Sequence, residues 1–105
     1  MALNIERKVS SDETVISVAG DVDLYTSPEL RKAVLEAVPG AAGRVAVDLS
    51  GVNYIDSSGI ATLVEGLRSA HKHDKAFVLV TPSPPVMQVL ELSKLDNVFE
   101  VRTTS

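Results

Sequence analysis

The residues best placed to do chemistry are Asp56-Ser57-Ser58-Gly59. The run before them, Val45 to Leu49, is apolar and β-favouring, whereas Ile60, Leu63, Val64 and Leu67 after them recur at i, i+3, i+4 and i+7. The period changes from strand to helix across the tetrapeptide, so the two serines fall at a helix N-terminus. The first backbone N–H groups of a helix lack partners and its dipole is positive there. Hydroxyls can cap those groups, and an anion, phosphate included, is stabilised beside them. Two further acids, Asp21 and Asp23, stand in a loop that follows an earlier β-favouring run.

The same serines would be nucleophiles if a base stood near them. The chain has no G-x-S-x-G elbow, and its two histidines, His71 and His73, lie over three helical turns away at about 1.5 Å rise per residue. That is beyond hydrogen-bond reach, which argues against an enzyme. No P-loop is present either, so any nucleotide would belong to a partner. Each residue also has a plainer reading. Ser57 and Ser58 would serve simply as helix caps, contributing on the order of 1 kcal/mol each. Asp56 would favour the positive helix end, Gly59 would allow close packing, and Asp21 and Asp23 would be solvated loop acids. Asp48, alternating within an apolar strand, needs a hydrogen-bonding partner or water.

The elements that must position these residues are legible in order. Leu3, Ile5 and Val9 alternate with polar residues as in a half-exposed strand; Ser10 to Glu13 form a turn, and Thr14 to Ala19 suit a second, antiparallel strand closed by Gly20. Thr26-Ser27-Pro28-Glu29 reads as a hydroxyl cap before proline at a first helical position. Leu30, Ala33, Val34, Ala37 and Val38 mark the buried stripe of that helix, and Pro39-Gly40 stops it. The central strand runs from Val45 to Leu49 with Ser50-Gly51 as its boundary, and the second helix exits through Lys72 to Lys75. Ala76 to Val80 is another buried strand. Ser83-Pro84 repeats the cap signal for a third helix ending near Lys94, with Val86, Val89, Leu90 and Ser93 inward. Val98 to Val101 is a short closing strand, and Arg102 to Ser105 form a frayed tail. Right-handed crossovers along this order predict an α/β fold: a four- to five-stranded mixed sheet with helices packed mainly on one face. The carboxyl ends of the second and third strands then lie side by side, bringing Asp21 and Asp23 beside Asp56-Ser57-Ser58.

Composition sets the outer bounds. A chain of 105 residues, 45% hydrophobic and 23% charged, fits one domain over residues 1–105. Its net charge of −4, with no Lys/Arg run, argues against nucleic acid or an anionic membrane as partner. No cysteine is present, so neither a disulfide framework nor a thiolate metal site is expected. No signal peptide and no apolar run of about 20 residues stand out, so no membrane insertion and a cytoplasmic location are expected.

These residues carry a resemblance. Gly20-Asp21-Val22-Asp23 is similar to the Gly-acid-apolar-Asp loop of STAS domains. Val47-Asp48-Leu49 through Tyr54-Ile55-Asp56-Ser57-Ser58-Gly59 resembles the strand and phosphorylation loop of one branch, the bacterial anti-sigma factor antagonists. The resemblance spans the chain from the first strand to the third helix. It implies a STAS fold, no cofactor and no metal. It also implies an anti-sigma factor that is a serine kinase as partner, and a serine phosphatase. Binding would run through Asp21, Asp23, Asp56, Ser57, Ser58 and Gly59, with Ser57 as the phosphorylated residue and Ser58 as second choice. Antagonists commonly have glycine where this chain has Ala61. STAS domains that are never phosphorylated tolerate alanine there, which leaves a constitutive interaction subunit of a transporter or signalling complex as the alternative.

Overall fold

A tight hairpin opens the chain because Ser10 closes it twice: its N–H donates to the Glu13 carbonyl at 2.9 Å and its hydroxyl to the same oxygen at 3.0 Å. This is a computed structural model, and it describes residues 3–103. The order of elements is β1 (Asn4–Val9), β2 (Thr14–Val22), α1 (Ser27–Ala37), β3 (Arg44–Ile55), α2 (Ser57–Lys72), β4 (Ala76–Val80), α3 (Pro84–Leu92) and β5 (Glu100–Arg102). The sheet order is β1-β2-β3-β4-β5, antiparallel at the first pair and parallel thereafter. It is the α/β mixed sheet that the element order predicts, at the five-stranded end of the expected range.

Each parallel crossover steps to the next strand in the same direction, which carries the helices to one face of the sheet. One buried cluster joins Ile16, Val47 and Leu79 of the sheet to Val34 of α1, Leu63 of α2 and Leu90 of α3. Every one of these six side chains is fully excluded from water. At about 1.5–3 kcal/mol per fully buried aliphatic side chain, this layer holds the loops above it in place.

The structure departs from the sequence reading in four places. First, β3 does not end at Ser50-Gly51 but runs on to Ile55. Its parallel ladder with β2 continues through Val22 and Ile55, past register shifts. The turn-like signal of Ser50-Gly51 is absorbed locally. The Asp48 carboxylate accepts the Ser50 N–H at 2.9 Å, and at Gly51 a Cβ would sit only 2.9 Å from that of Ala19. Second, β2 likewise runs past Ala19 to Val22, and Gly20 adopts φ +114°, a region that side-chain-bearing residues avoid. Third, β5 covers Glu100–Arg102 rather than Val98 to Val101, because Phe99 turns into the core against Phe77, ring centroids 6.3 Å apart. Arg102 therefore belongs to the sheet, while Thr104 and Ser105 lie outside the described residues. Fourth, α3 ends at Leu92, and Ser93 is exposed rather than inward.

β4 stops opposite Asp48, which leaves the last half of β3 without a strand on that side. Ser83 takes over there. Its N–H donates to the Leu49 carbonyl at 3.3 Å, and its buried hydroxyl donates to the Val52 carbonyl at 2.6 Å. The hydroxyl is thereby spent, and it makes no capping bond to α3.

Candidate functional site

The site is built where β3 hands over to α2. The Asp56 N–H donates to the Val22 carbonyl at 3.1 Å, so the parallel ladder continues for one last bond before the chain turns into the helix. Asp56 has extended backbone, and its Oδ1 accepts from the Ser58 N–H at 2.9 Å, the Gly59 N–H at 3.4 Å and the Ser58 hydroxyl at 2.6 Å. The cap of α2 is therefore the carboxylate, and the expectation that the serine hydroxyls cap it is corrected. A carboxylate satisfies two orphan N–H groups and complements the dipole as well, which a hydroxyl does not.

The two serines consequently differ. The Ser58 hydroxyl is bound to Asp56, and its backbone carbonyl receives the Thr62 hydroxyl at 3.1 Å. Ser57 is the first residue of α2 and exposed, and among the described residues its hydroxyl has no hydrogen-bond partner. Gly59 is buried against the strand ends. A Cβ there would lie 2.6 Å from Ile55 Cγ1 and 2.7 Å from Val22 Cγ1, so glycine lets the first turn of α2 seat directly on β2 and β3. Ala61, one turn after Ser57, is exposed beside it.

Asp21 pairs with Tyr54 across β2 and β3, which brings the acidic loop beside the serines as expected. Asp23 is more than a solvated acid. Its Oδ1 accepts from the Tyr25 N–H at 2.9 Å and the Thr26 N–H at 3.0 Å. The Thr26 hydroxyl donates to the Asp21 carbonyl at 2.7 Å and accepts from the Asp23 N–H at 2.9 Å, so it does not cap α1. The Thr26 N–H, foremost among these donors, holds the Asp23 carboxyl below the usual aspartate value because it stabilises the charged form. A cleft of about 510 Å³ opens beside this loop, lined by Asn4, Asp21, Asp23, Tyr25 and Asn53 among others.

His71 and His73 lie in the last turn and at the C-cap of α2, where the His73 ring meets the Ser69 carbonyl at 2.8 Å. At about 1.5 Å per residue the helix separates them from Ser57 by some 20 Å. Among the described residues no three His, Asp or Glu side chains converge as around a metal ion, and no helix is long and apolar enough to cross a membrane. Three residues of this region have no role assigned by the sequence reading: Leu24, Tyr25 and Tyr54 are exposed apolar side chains around the acids. Large apolar residues inside an otherwise polar loop were the available signal.

A family model described as Mlab, STAS domain, matches residues 5–102, strand β1 to strand β5. The chain belongs to the STAS domain family. This STAS domain is 29% identical over 101 residues to an anti-sigma-B factor antagonist of Staphylococcus epidermidis, covering 96% of this chain and 94% of the relative. It superposes on an anti-sigma factor antagonist STAS domain protein of Planctomyces limnophilus with TM-score 0.83 at 27% identity, covering 96% and 90% of the two chains. An anti-sigma factor antagonist of Mycobacterium paratuberculosis gives TM-score 0.84 at 25% identity, covering 94% and 84%.

Proposed function

We propose that this STAS domain is an anti-sigma factor antagonist. Its unphosphorylated form binds an anti-sigma factor that is a serine kinase, releasing the sigma factor, and phosphate on Ser57 ends the association. The observation that carries this reading is the contrast between the two hydroxyls: Ser57 is exposed at a helix start with its hydroxyl unbonded, while that of Ser58 is bound to Asp56. Ser58 remains the second choice. In the transfer, Ser57 Oγ attacks the terminal phosphorus of a nucleoside triphosphate held by the kinase. The Oγ–P bond forms, the bond to the nucleoside diphosphate breaks, and the hydroxyl proton passes to a base of the kinase.

The product carries about −1.5 to −2 of added charge. The N-terminus of α2 accepts that charge, so the fold persists. The partner does not: the phosphate lies beside Asp56 and faces the phosphates of the nucleotide from which it came. A serine phosphatase restores the binding form. Intact mass and peptide mapping of the protein from its native cells test the reading, which expects one phosphate on the peptide containing Ser57. Titration calorimetry with the anti-sigma factor then expects Ser57→Ala to bind and Ser57→Asp to bind more weakly. Equal affinity for the unmodified protein, Ser57→Asp and phosphoprotein would favour a constitutive STAS subunit of a transporter or signalling complex, the reading that Ala61 also suits.

A further inference from the structure

Tyr25 is the most exposed large apolar side chain among the described residues, at 84%, and its neighbour Leu24 is 67% exposed. Neither takes part in the core. Two adjacent apolar side chains held in water add nothing to folding, and an unconstrained loop would fold them back onto the nearest surface. Here the backbone prevents that. The Asp23 carboxylate grips the Tyr25 and Thr26 N–H groups, the Ser27 N–H donates to the Asp23 carbonyl at 2.8 Å, and the Thr26 hydroxyl ties the turn back to Asp21.

The turn leaves the end of β2 that pairs with the end of β3, one residue before α2 and Ser57 begin. Asp21 registers with Tyr54, itself 51% exposed, and Val22 receives the N–H of Asp56. The cleft between the turn and the sheet holds Asp21 and Asp23, and among the described residues no Lys or Arg lines it. An aromatic side chain carried on a turn whose backbone is already fixed, and set next to charge, suits an interface anchor, since the backbone's ordering cost falls on folding rather than on binding. The other large exposed apolar residues of the second half, Leu92 and Val98, lie at the end of α3 and in the segment before β5, away from the cleft that holds Asp21 and Asp23.

We infer that Leu24 and Tyr25 are the anchor by which the Ser57 kinase holds this protein, entering an apolar cleft of the kinase whose rim presents Lys or Arg to Asp21 and Asp23. The inference rests on the proposed function and names the surface through which its partner is recognised. The charges divide the work: the basic rim meets the carboxylates around Tyr25, whereas Ser57 faces the nucleotide, so a phosphate there is repelled although the rim attracts.

The test is steady-state phosphorylation of the full chain by the serine-kinase anti-sigma factor of the same organism with ATP. For Tyr25→Ala the KM for this protein should rise at least tenfold, with kcat within about twofold, because the anchor holds substrate and transition state alike. Tyr25→Phe should restore the KM, since the ring rather than the hydroxyl fills the cleft, and Leu92→Ala should leave it unchanged. Raising the salt concentration should raise the wild-type KM and do so less for Asp21→Asn. Equal KM values for wild type and Tyr25→Ala would overturn the anchor and leave the proposed function standing. Loss of self-association in Tyr25→Ala at unchanged KM would overturn it in favour of a second copy as occupant. A wild-type chain that accepts no phosphate would overturn the proposed function, and the anchor with it.

Discussion

Replacing Asp56 with alanine should destabilise the protein far more than replacing Ser57, although Ser57 is the residue of functional interest. Asp56→Ala removes the acceptor of two N–H groups and of the Ser58 hydroxyl at the start of α2. Loss of an N-cap costs about 0.5–2 kcal/mol, and loss of a negative charge at that helix end adds about 0.3–1. The sum, about 1–3 kcal/mol, corresponds to roughly 5–15 °C in Tm for a chain of this size. Ser57→Ala removes an exposed, unbonded hydroxyl at a helical position where alanine has the better propensity, so its effect should stay within about 0.5 kcal/mol. Asp56→Asn, which keeps the acceptor and loses the charge, should fall between the two. Urea titrations followed by circular dichroism resolve these differences, provided the slope m is unchanged. If Ser57→Ala were as destabilising as Asp56→Ala, the hydroxyl would be the cap and the assignment of the free serine would collapse.

Gly59→Ala forces a methyl group to within 2.7 Å of both Ile55 and Val22, which should cost about 1–3 kcal/mol by overpacking and show as a lower urea midpoint; an unchanged midpoint would mean that α2 can lift off the strand ends freely. Ser83→Ala leaves the buried Val52 carbonyl without the donor it has at 2.6 Å, with an expected loss of about 1–3 kcal/mol and faster amide exchange along the last half of β3. The folded Asp23 carboxyl is depressed below its ordinary 3.8, so the stability it contributes is present above that pH and is lost as pH falls through the lower folded value. Carbon NMR should therefore find its titration midpoint below 3.8, and Asp23→Asn should reduce the acid-limb loss of stability; a midpoint at or above 3.8 would remove the brace on Tyr25.

What the sequence determined by itself was the set of elements and their order. Strand and helix periods are properties of neighbouring residues, and so are the prolines that follow Ser27 and Ser83 and the glycines that permit the close seating of α2. Eight elements with short connections leave few topologies, which is why the juxtaposition of the Asp21 loop with Asp56-Ser57-Ser58 is legible in the sequence, and the STAS resemblance singles out Ser57 among the hydroxyls. The tertiary structure decided what each polar group bonds to. None of the hydroxyls read as caps makes a capping bond: that of Ser57 is unbonded among the described residues, that of Ser58 donates to Asp56, that of Thr26 to the Asp21 carbonyl, and that of Ser83 to a carbonyl 31 residues away. The length of β3 was likewise decided by its neighbour, since pairing with β2 overrode the turn chemistry of Ser50-Gly51. A hydroxyl or a strand end selects among the partners that long-range packing brings within about 3 Å. Which of the two adjacent serines keeps an unbonded hydroxyl, and how exposed Tyr25 is, are therefore visible only once β2 and β3 lie side by side.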